Sequence, residues 1–223
     1  DRAVDAAVLA GFSNNGQQCL AGTRLLLQRS IADEFIERFL KRVRRLQIGP
    51  PAETRTEIGP LISASQLERV CSYASIAAEE GAEIVTGGQA ADLGGGYFFE
   101  PTVVRATSNE QRVCREEIFG PFVSVLEFDD FDEALTIAND SEFGLVAYVW
   151  TGSLDLAMRA ADELRTGVVW INTPLFRELR APFGGFKHSG VGRDGGDWSR
   201  NLFTEAKTIS IPRRDFPLAR LSS

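Results

Sequence analysis

One of the three cysteines, Cys19, follows a polar turn of Ser13, Asn14, Asn15, Gly16, Gln17 and Gln18 and precedes a short apolar run, Leu25 to Leu27. A thiol held at a helix-to-strand turn beside its own backbone N–H has what attack on a carbonyl needs, a nucleophile and an oxyanion donor. A free cysteine is also a small hydrophobe that fills cores, and position alone does not choose for Cys19. Cys71, on a helical pattern between Val70 and Ala74, and Cys114, behind Val113, suit the core reading. The adjacent carboxylates Glu116 and Glu117, with Ile118-Phe119-Gly120-Pro121 after them, could hold hydroxyls and stack a ring, or form a solvated turn before a strand. His188 is the only histidine, so any Cys-His pair or histidine metal site would have to use it. Without a second histidine or a Cys-x-x-Cys pair, no metal site is expected. Gly190, Gly192 and Gly195 have the spacing of a dinucleotide fingerprint. The preceding stretch, Pro182 to Ser189, does not read as the strand that motif requires, so these glycines read as turn geometry.

Positioning these groups falls to an alternation of helices and strands. Val4, Val8 and Phe12 form a helical stripe from Arg2 onward. Leu25 to Leu27 reads as a strand buried on both faces. Ser30 and Asp33 mark a helix start whose core face is Ile31, Phe35, Phe39, Val43 and Leu46. A helix from Ser63, with Gln66 three positions on, stops at Gly81. Strands are predicted at Glu83 to Thr86, Phe98 to Val104 and Val123 to Phe128, a helix at Asp130 to Asn139, and a strand at Leu145 to Trp150. A Ser153-capped helix reaching Gly167, a strand at Val168 to Asn172, a helix at Gly196 to Phe203 and a strand at Lys207 to Ile211 follow. Such spacing predicts an α/β fold, a largely parallel sheet with helices on both faces. The interval from Thr173 to Asp194 is a long irregular loop, and such loops are usually functional. No repeat or interior linker divides the chain.

At 223 residues the chain can bury a sizeable core without disulfides or metal. Hydrophobic residues make up 43% and charged residues 25%, a soluble balance, and no apolar run is long enough to span a bilayer. A net charge of −7 opposes a nucleic-acid role, and the cationic run Lys41, Arg42, Arg44 and Arg45 reads as a solvated helix end. Three cysteines, an odd number set far apart, suit reduced thiols in the cytoplasm, and Asp1 and Asp5 do not open a signal peptide.

Three stretches together resemble the NAD(P)-dependent aldehyde dehydrogenase superfamily: Phe12 with Gly16-Gln17-Gln18-Cys19-Leu20-Ala21-Gly22-Thr23-Arg24; Glu116 to Pro121; and Pro182-Phe183-Gly184-Gly185-Phe186-Lys187, continuing through Ser189-Gly190-Val191-Gly192-Arg193. Their order and spacing are the family's, and the likeness covers essentially the whole chain. It implies that the Cys19 thiolate adds to an aldehyde, with its N–H as half of an oxyanion hole. It implies that Glu117 holds the nicotinamide ribose, that Phe119 packs on the nicotinamide, and that Asn172 and Phe183 border the aldehyde pocket. The chemistry implied is covalent: a thiohemiacetal gives up hydride to NAD or NADP, and water hydrolyses the resulting thioester.

One departure accompanies the likeness. The family's general-base glutamate, oxyanion asparagine and cofactor-binding domain lie upstream of the cysteine, and only eighteen residues precede Cys19. Residues 1–203 are therefore expected to be a catalytic domain without its cofactor-binding partner, and to bind NAD weakly or not at all. Residues 204–223 would be a strand and tail that bridges subunits of a homodimer or homotetramer. The loop from Asn172 to Pro182 resembles that of hydroxymuconic and carboxymethyl-hydroxymuconic semialdehyde dehydrogenases. Arg177 and Arg180 would there fork a substrate carboxylate, or one of them, Arg180 before Arg177, would pair with Glu178 as structure. Two other readings stay open: a cofactor-free cysteine hydrolase or acyltransferase, with His188 as base, and a non-catalytic assembly module.

Overall fold

A computed structural model describes residues 1–215 and 217–219 of the chain. Helix α1 (Arg2–Phe12) passes into a 3-10 turn (Ser13–Gly16) and then strand β1 (Arg24–Gln28). Next come α2 (Arg29–Val43), α3 (Ala64–Glu79), β2 (Glu83–Thr86), β3 (Ala90–Ala91), β4 (Phe98–Phe99), β5 (Thr102–Arg105), α4 (Arg112–Arg115) and β6 (Phe122–Phe128). After these lie α5 (Phe131–Asn139), β7 (Phe143–Gly144), β8 (Val146–Val149), α6 (Leu154–Glu163), β9 (Val168–Ile171), β10 (Phe186–Lys187) and α7 (Gly196–Phe203).

The central sheet has the order β1-β6-β5-β2, with β1, β6 and β5 parallel and only the edge strand β2 antiparallel. Strand β6 is apolar on both faces, and the side-chain period of two divides it between two cores. Phe122 and Leu126 face the α3 and α4 cluster, whereas Val123 and Val125 face that of α1 and α2. Ser124, 1% exposed between them, donates its hydroxyl to the Val113 carbonyl at 2.8 Å. The fold is α/β, with helices covering both faces of a mostly parallel sheet.

Several elements depart from expectation for local reasons. The predicted parallel sheet is not continuous: β8 and β9 pair in parallel with each other as a separate ladder. Phe98 to Val104 is two strands, broken at Glu100 and Pro101, where proline offers no N–H to a ladder. Helix α2 starts at Arg29 with no side-chain cap, so Ser30 does not cap it, and Ile31 is 51% exposed rather than core. Helix α6 is capped by the Ser153 hydroxyl but ends at Glu163, because Leu164 is already extended and the chain must turn into β9. Lys207 to Ile211 forms no strand; residues 204–215 are exposed, and alternation without a neighbouring ladder leaves backbone groups to water. The rest of the expected tail, residues 216 and 220–223, lies outside the described residues. No described helix is long and apolar enough to cross a membrane.

Candidate active site

The turn that carries Cys19 is built from backbone that few residues accept. Asn14, Asn15 and Gly16 take φ of 51°, 59° and 66°, and asparagine tolerates this left-handed region better than other side chains with a Cβ. The Asn15 amide anchors the turn to the preceding loop of α3, accepting from the Gly59 N–H at 2.7 Å and donating to the Pro60 carbonyl at 3.1 Å. Gln17 Oε1 accepts from the Ile62 N–H, and the Gly22 N–H donates to Ala10 in α1. Cys19 itself is exposed, and among the described residues no protein acceptor takes its N–H. Cys114 is buried, with its thiol pushed up to about 11 by burial, and burial also raises that of Cys71. Solvent access therefore separates the three thiols.

The two-glutamate loop lies directly against this turn: a methyl added at Gly16 would sit 2.0 Å from the Gly120 carbonyl oxygen. The adjacent carboxylates have different surroundings. Glu116 accepts the Tyr73 hydroxyl at 2.5 Å and a forked pair from Arg112, which together hold its carboxyl down at about 2. Glu117 is exposed, and its carboxylate has no protein partner among the described residues. The loop backbone is held from α3, where Arg69 donates to the Glu117 carbonyl and Gln66 Nε2 to the carbonyls of Ile118 and Phe119, at 3.0 and 2.7 Å. Those bonds hold Phe119 at a φ of 60°, costly for an aromatic residue. Gln66 donates its N–H to the Ser63 cap as its spacing suggested, but its side chain serves the Glu117 loop.

Glu116 therefore ties the loop to α3. Because its folded carboxyl titrates far below the ordinary range, its stabilising effect is present above about pH 4.5 and is lost as pH falls toward about 2. The Arg112 fork is the larger cause and the Tyr73 hydroxyl the second, and with the Glu116 side chain 40% exposed, solvent screening limits what the ion pair contributes. Glu116→Gln is expected to cost about 1 kcal/mol near pH 7, a fall of roughly 2–4 °C in Tm, with the deficit closing as the melts approach pH 2.

Cys19, Glu117 and Phe119 line one cleft of about 790 Å³, to which Tyr148, Thr151 and His188 also contribute. Asn172, Arg177, Arg180 and Phe183 do not line it. The Asn172 side chain, at a φ of 54°, pairs with the Thr151 backbone, accepting at 3.1 Å and donating at 2.8 Å, and so continues the β8–β9 ladder by one rung. Phe183 exchanges two backbone hydrogen bonds with Asp194, each 2.7 Å, closing the glycine-rich loop at its base. Gly190, Gly192 and Gly195 all have positive φ, as turn geometry requires. Arg180 forks onto Glu178 and lowers its carboxyl to about 2. The Arg177 guanidinium lies 4.7 Å from the Phe183 ring centre and, among the described residues, pairs with no carboxylate. His188 faces Glu142, Nδ1 to Oε2 3.6 Å, and no hydrogen bond joins it to Cys19. Sequence reasoning did not find Tyr148, whose hydroxyl donates to the Leu20 carbonyl from 128 residues away. No local signal points to that pairing.

The sequence profile of the aldehyde dehydrogenase family matches residues 1–209. The chain belongs to that family. A betaine aldehyde dehydrogenase of Mesorhizobium japonicum is 41% identical to it over 218 residues, 96% of this chain and 45% of that protein. Among solved structures, HpcC from Thermus thermophilus superposes with a TM-score of 0.91 at 39% identity, over 100% of this chain and 44% of that one. An NAD+ complex of aldehyde dehydrogenase from Bacillus cereus gives 0.90 at 37% identity, over 96% and 43%. The chain thus spans less than half the length of these family members. Within the family fold, the cysteine turn and the two-glutamate loop meet in one open cleft.

Proposed function

We propose that this chain carries the nucleophile of an NAD(P)-dependent aldehyde dehydrogenase, with Cys19 as the attacking thiol. The observation that carries this reading is the contact of the exposed Cys19 turn with a loop whose Glu117 carboxylate is unpaired among the described residues. The Cys19 sulfur bonds to the aldehyde carbon, and the carbonyl oxygen, now an oxyanion, accepts from the free Cys19 N–H. Glu117 and Phe119 fit a nicotinamide nucleotide, the carboxylate holding ribose hydroxyls and the half-buried ring lying against the base. NAD or NADP, when bound, supplies the hydride acceptor. Water then cleaves the thioester and returns the thiol. Further dinucleotide contacts belong, on this reading, to the part of the enzyme that the longer relatives possess. The isolated chain is then expected to bind NAD weakly. A cysteine hydrolase would need a base at the thiol; His188 lines the same cleft, but no hydrogen bond joins it to Cys19. The exposed residues 204–215, with Ile209 74% and Ile211 81% exposed, fit a strand that pairs on a second subunit of a homodimer or homotetramer.

For substrate, the reading favours a carboxylate-bearing semialdehyde, of the hydroxymuconic or carboxymethyl-hydroxymuconic kind. Arg180 is neutralised by Glu178, which leaves Arg177, outside the lining of the Cys19 cleft, as the cation of that loop that a substrate long enough to extend beyond the cleft would meet with its carboxylate. Arg177 would repel a cationic aldehyde of the betaine type. The test is protection of Cys19 from iodoacetamide by added aldehyde. An aldehyde bearing a carboxylate is expected to protect at about tenfold lower concentration than its neutral amide. Arg177→Ala should erase that preference while Arg180→Ala keeps it, and equal protection by both aldehydes before substitution would contradict the anionic assignment.

A further inference from the structure

Cys19 is held from one side by α1 and the α3 loop, and from the other by a single long-range side-chain bond. The Tyr148 hydroxyl donates at 2.8 Å to the carbonyl of Leu20, the residue after the thiol. No main-chain ladder joins β8 to β1, so this bond links the nucleophile's turn to the β8–β9 pair. Tyr148 is itself fixed: it is the register partner of Trp170, and the two rings stack with centroids 5.1 Å apart and planes 23° off parallel. Trp170, 7% exposed, donates its Nε1–H to the Phe176 carbonyl at 2.5 Å, next to Arg177. The aromatic pair thus spans from the thiol's turn to the loop that carries Arg177. Burial pushes the Tyr148 phenol up, and the charge of a Cys19 thiolate raises it further, so the phenol remains a neutral donor within electrostatic reach of the sulfur.

We propose that Tyr148 is a positioning residue for the Cys19 reaction, fixing the Leu20 peptide plane and keeping that carbonyl's negative end off the thiolate. This rests on the reading of Cys19 as nucleophile. Without the hydroxyl, the Leu20 carbonyl, one residue from the thiol, loses its donor, which disfavours negative charge on the neighbouring sulfur. Trp170 has no such role toward sulfur; it seats the tyrosine ring and ties down the loop at Phe176.

Tyr148→Phe keeps the stacked ring and removes only the donor, so the fold survives. The experiment measures iodoacetamide labelling of each cysteine by peptide mass spectrometry across pH, in the unsubstituted chain and in Y148F. Near pH 7, Cys19 labelling is expected to slow by about threefold or more in Y148F, the deficit narrowing as pH rises, with buried Cys114 still protected. Unchanged Cys19 rates and pH profile would overturn the proposal. Slowing that comes only with new labelling of Cys114 would overturn it too, since that marks a loosened fold. Failure of the underlying reading looks different: Cys19 would then label no faster than Cys71 before any substitution, and the positioning role would fall with it.

Discussion

Serine at Cys19 is expected to abolish aldehyde capture by this chain and to lower kcat of the enzyme that carries it by about a thousandfold or more. A hydroxyl is far less acidic than a thiol, and no base among the described residues is hydrogen-bonded to that position. The substitution should leave the fold intact, since Cys19 is exposed and contributes no buried contact. Steady-state turnover of aldehyde and the melting temperature, measured together, check this: activity lost with Tm unchanged is the expected pair. Turnover within tenfold of the parent would remove Cys19 from the chemistry.

Alanine at Gly16 is expected to produce the largest structural effect of any single methyl near the site. The residue sits at a φ of 66°, and an added Cβ would meet the Gly120 carbonyl oxygen at 2.0 Å and its carbon at 2.5 Å. Both obstacles are backbone, so no side chain can rotate away. Left-handed strain costs about 1 kcal/mol and forced separation of packed backbone about 1–3 kcal/mol more, so a loss of roughly 2–4 kcal/mol follows. The damage is directional: separating the two loops moves Cys19 away from Glu117 and Phe119. Denaturant unfolding should show the lower midpoint, and aldehyde protection of Cys19 should weaken even where the variant stays folded. A Gly16→Ala chain with parental stability would mean that the loops do not touch as described.

Much of this architecture was legible because its signals are local. The Ser63 and Ser153 caps and α7 at Gly196–Phe203 lie in short windows where capping and helical spacing suffice. Strand β6 was placed from its run of apolar residues, whereas the burial on both faces expected of Leu25 to Leu27 holds only at Leu27, because β1 lies at the edge of the sheet with Leu25 and Leu26 half-buried. The ion pair of Arg180 with Glu178 was one of two alternatives open to Arg180, available because the partners are two residues apart, and it takes the place of the substrate carboxylate expected there. What escaped depends on groups distant in sequence. Nothing near Glu116 and Glu117 shows that the first is taken by Tyr73 and Arg112 and the second is left free. The choice of Asn172 to pair with Thr151, and of Tyr148 to reach Leu20, arises only when β8 and β9 come together. The alternation at Lys207 to Ile211 forms no strand within the described residues for the same reason: a strand is a property of two segments, and this one has no described neighbour.

The central claim is that Cys19 is an accessible nucleophile serving an aldehyde site, and competitive labelling tests it most directly. The chain is treated with iodoacetamide with and without a saturating aldehyde, and the rate at each cysteine is read by peptide mass spectrometry. The account requires Cys19 to label fastest of the three and the aldehyde to protect it selectively, with Cys71 and Cys114 indifferent. Labelling of Cys19 that is no faster than Cys71, or that the aldehyde leaves untouched, would contradict it.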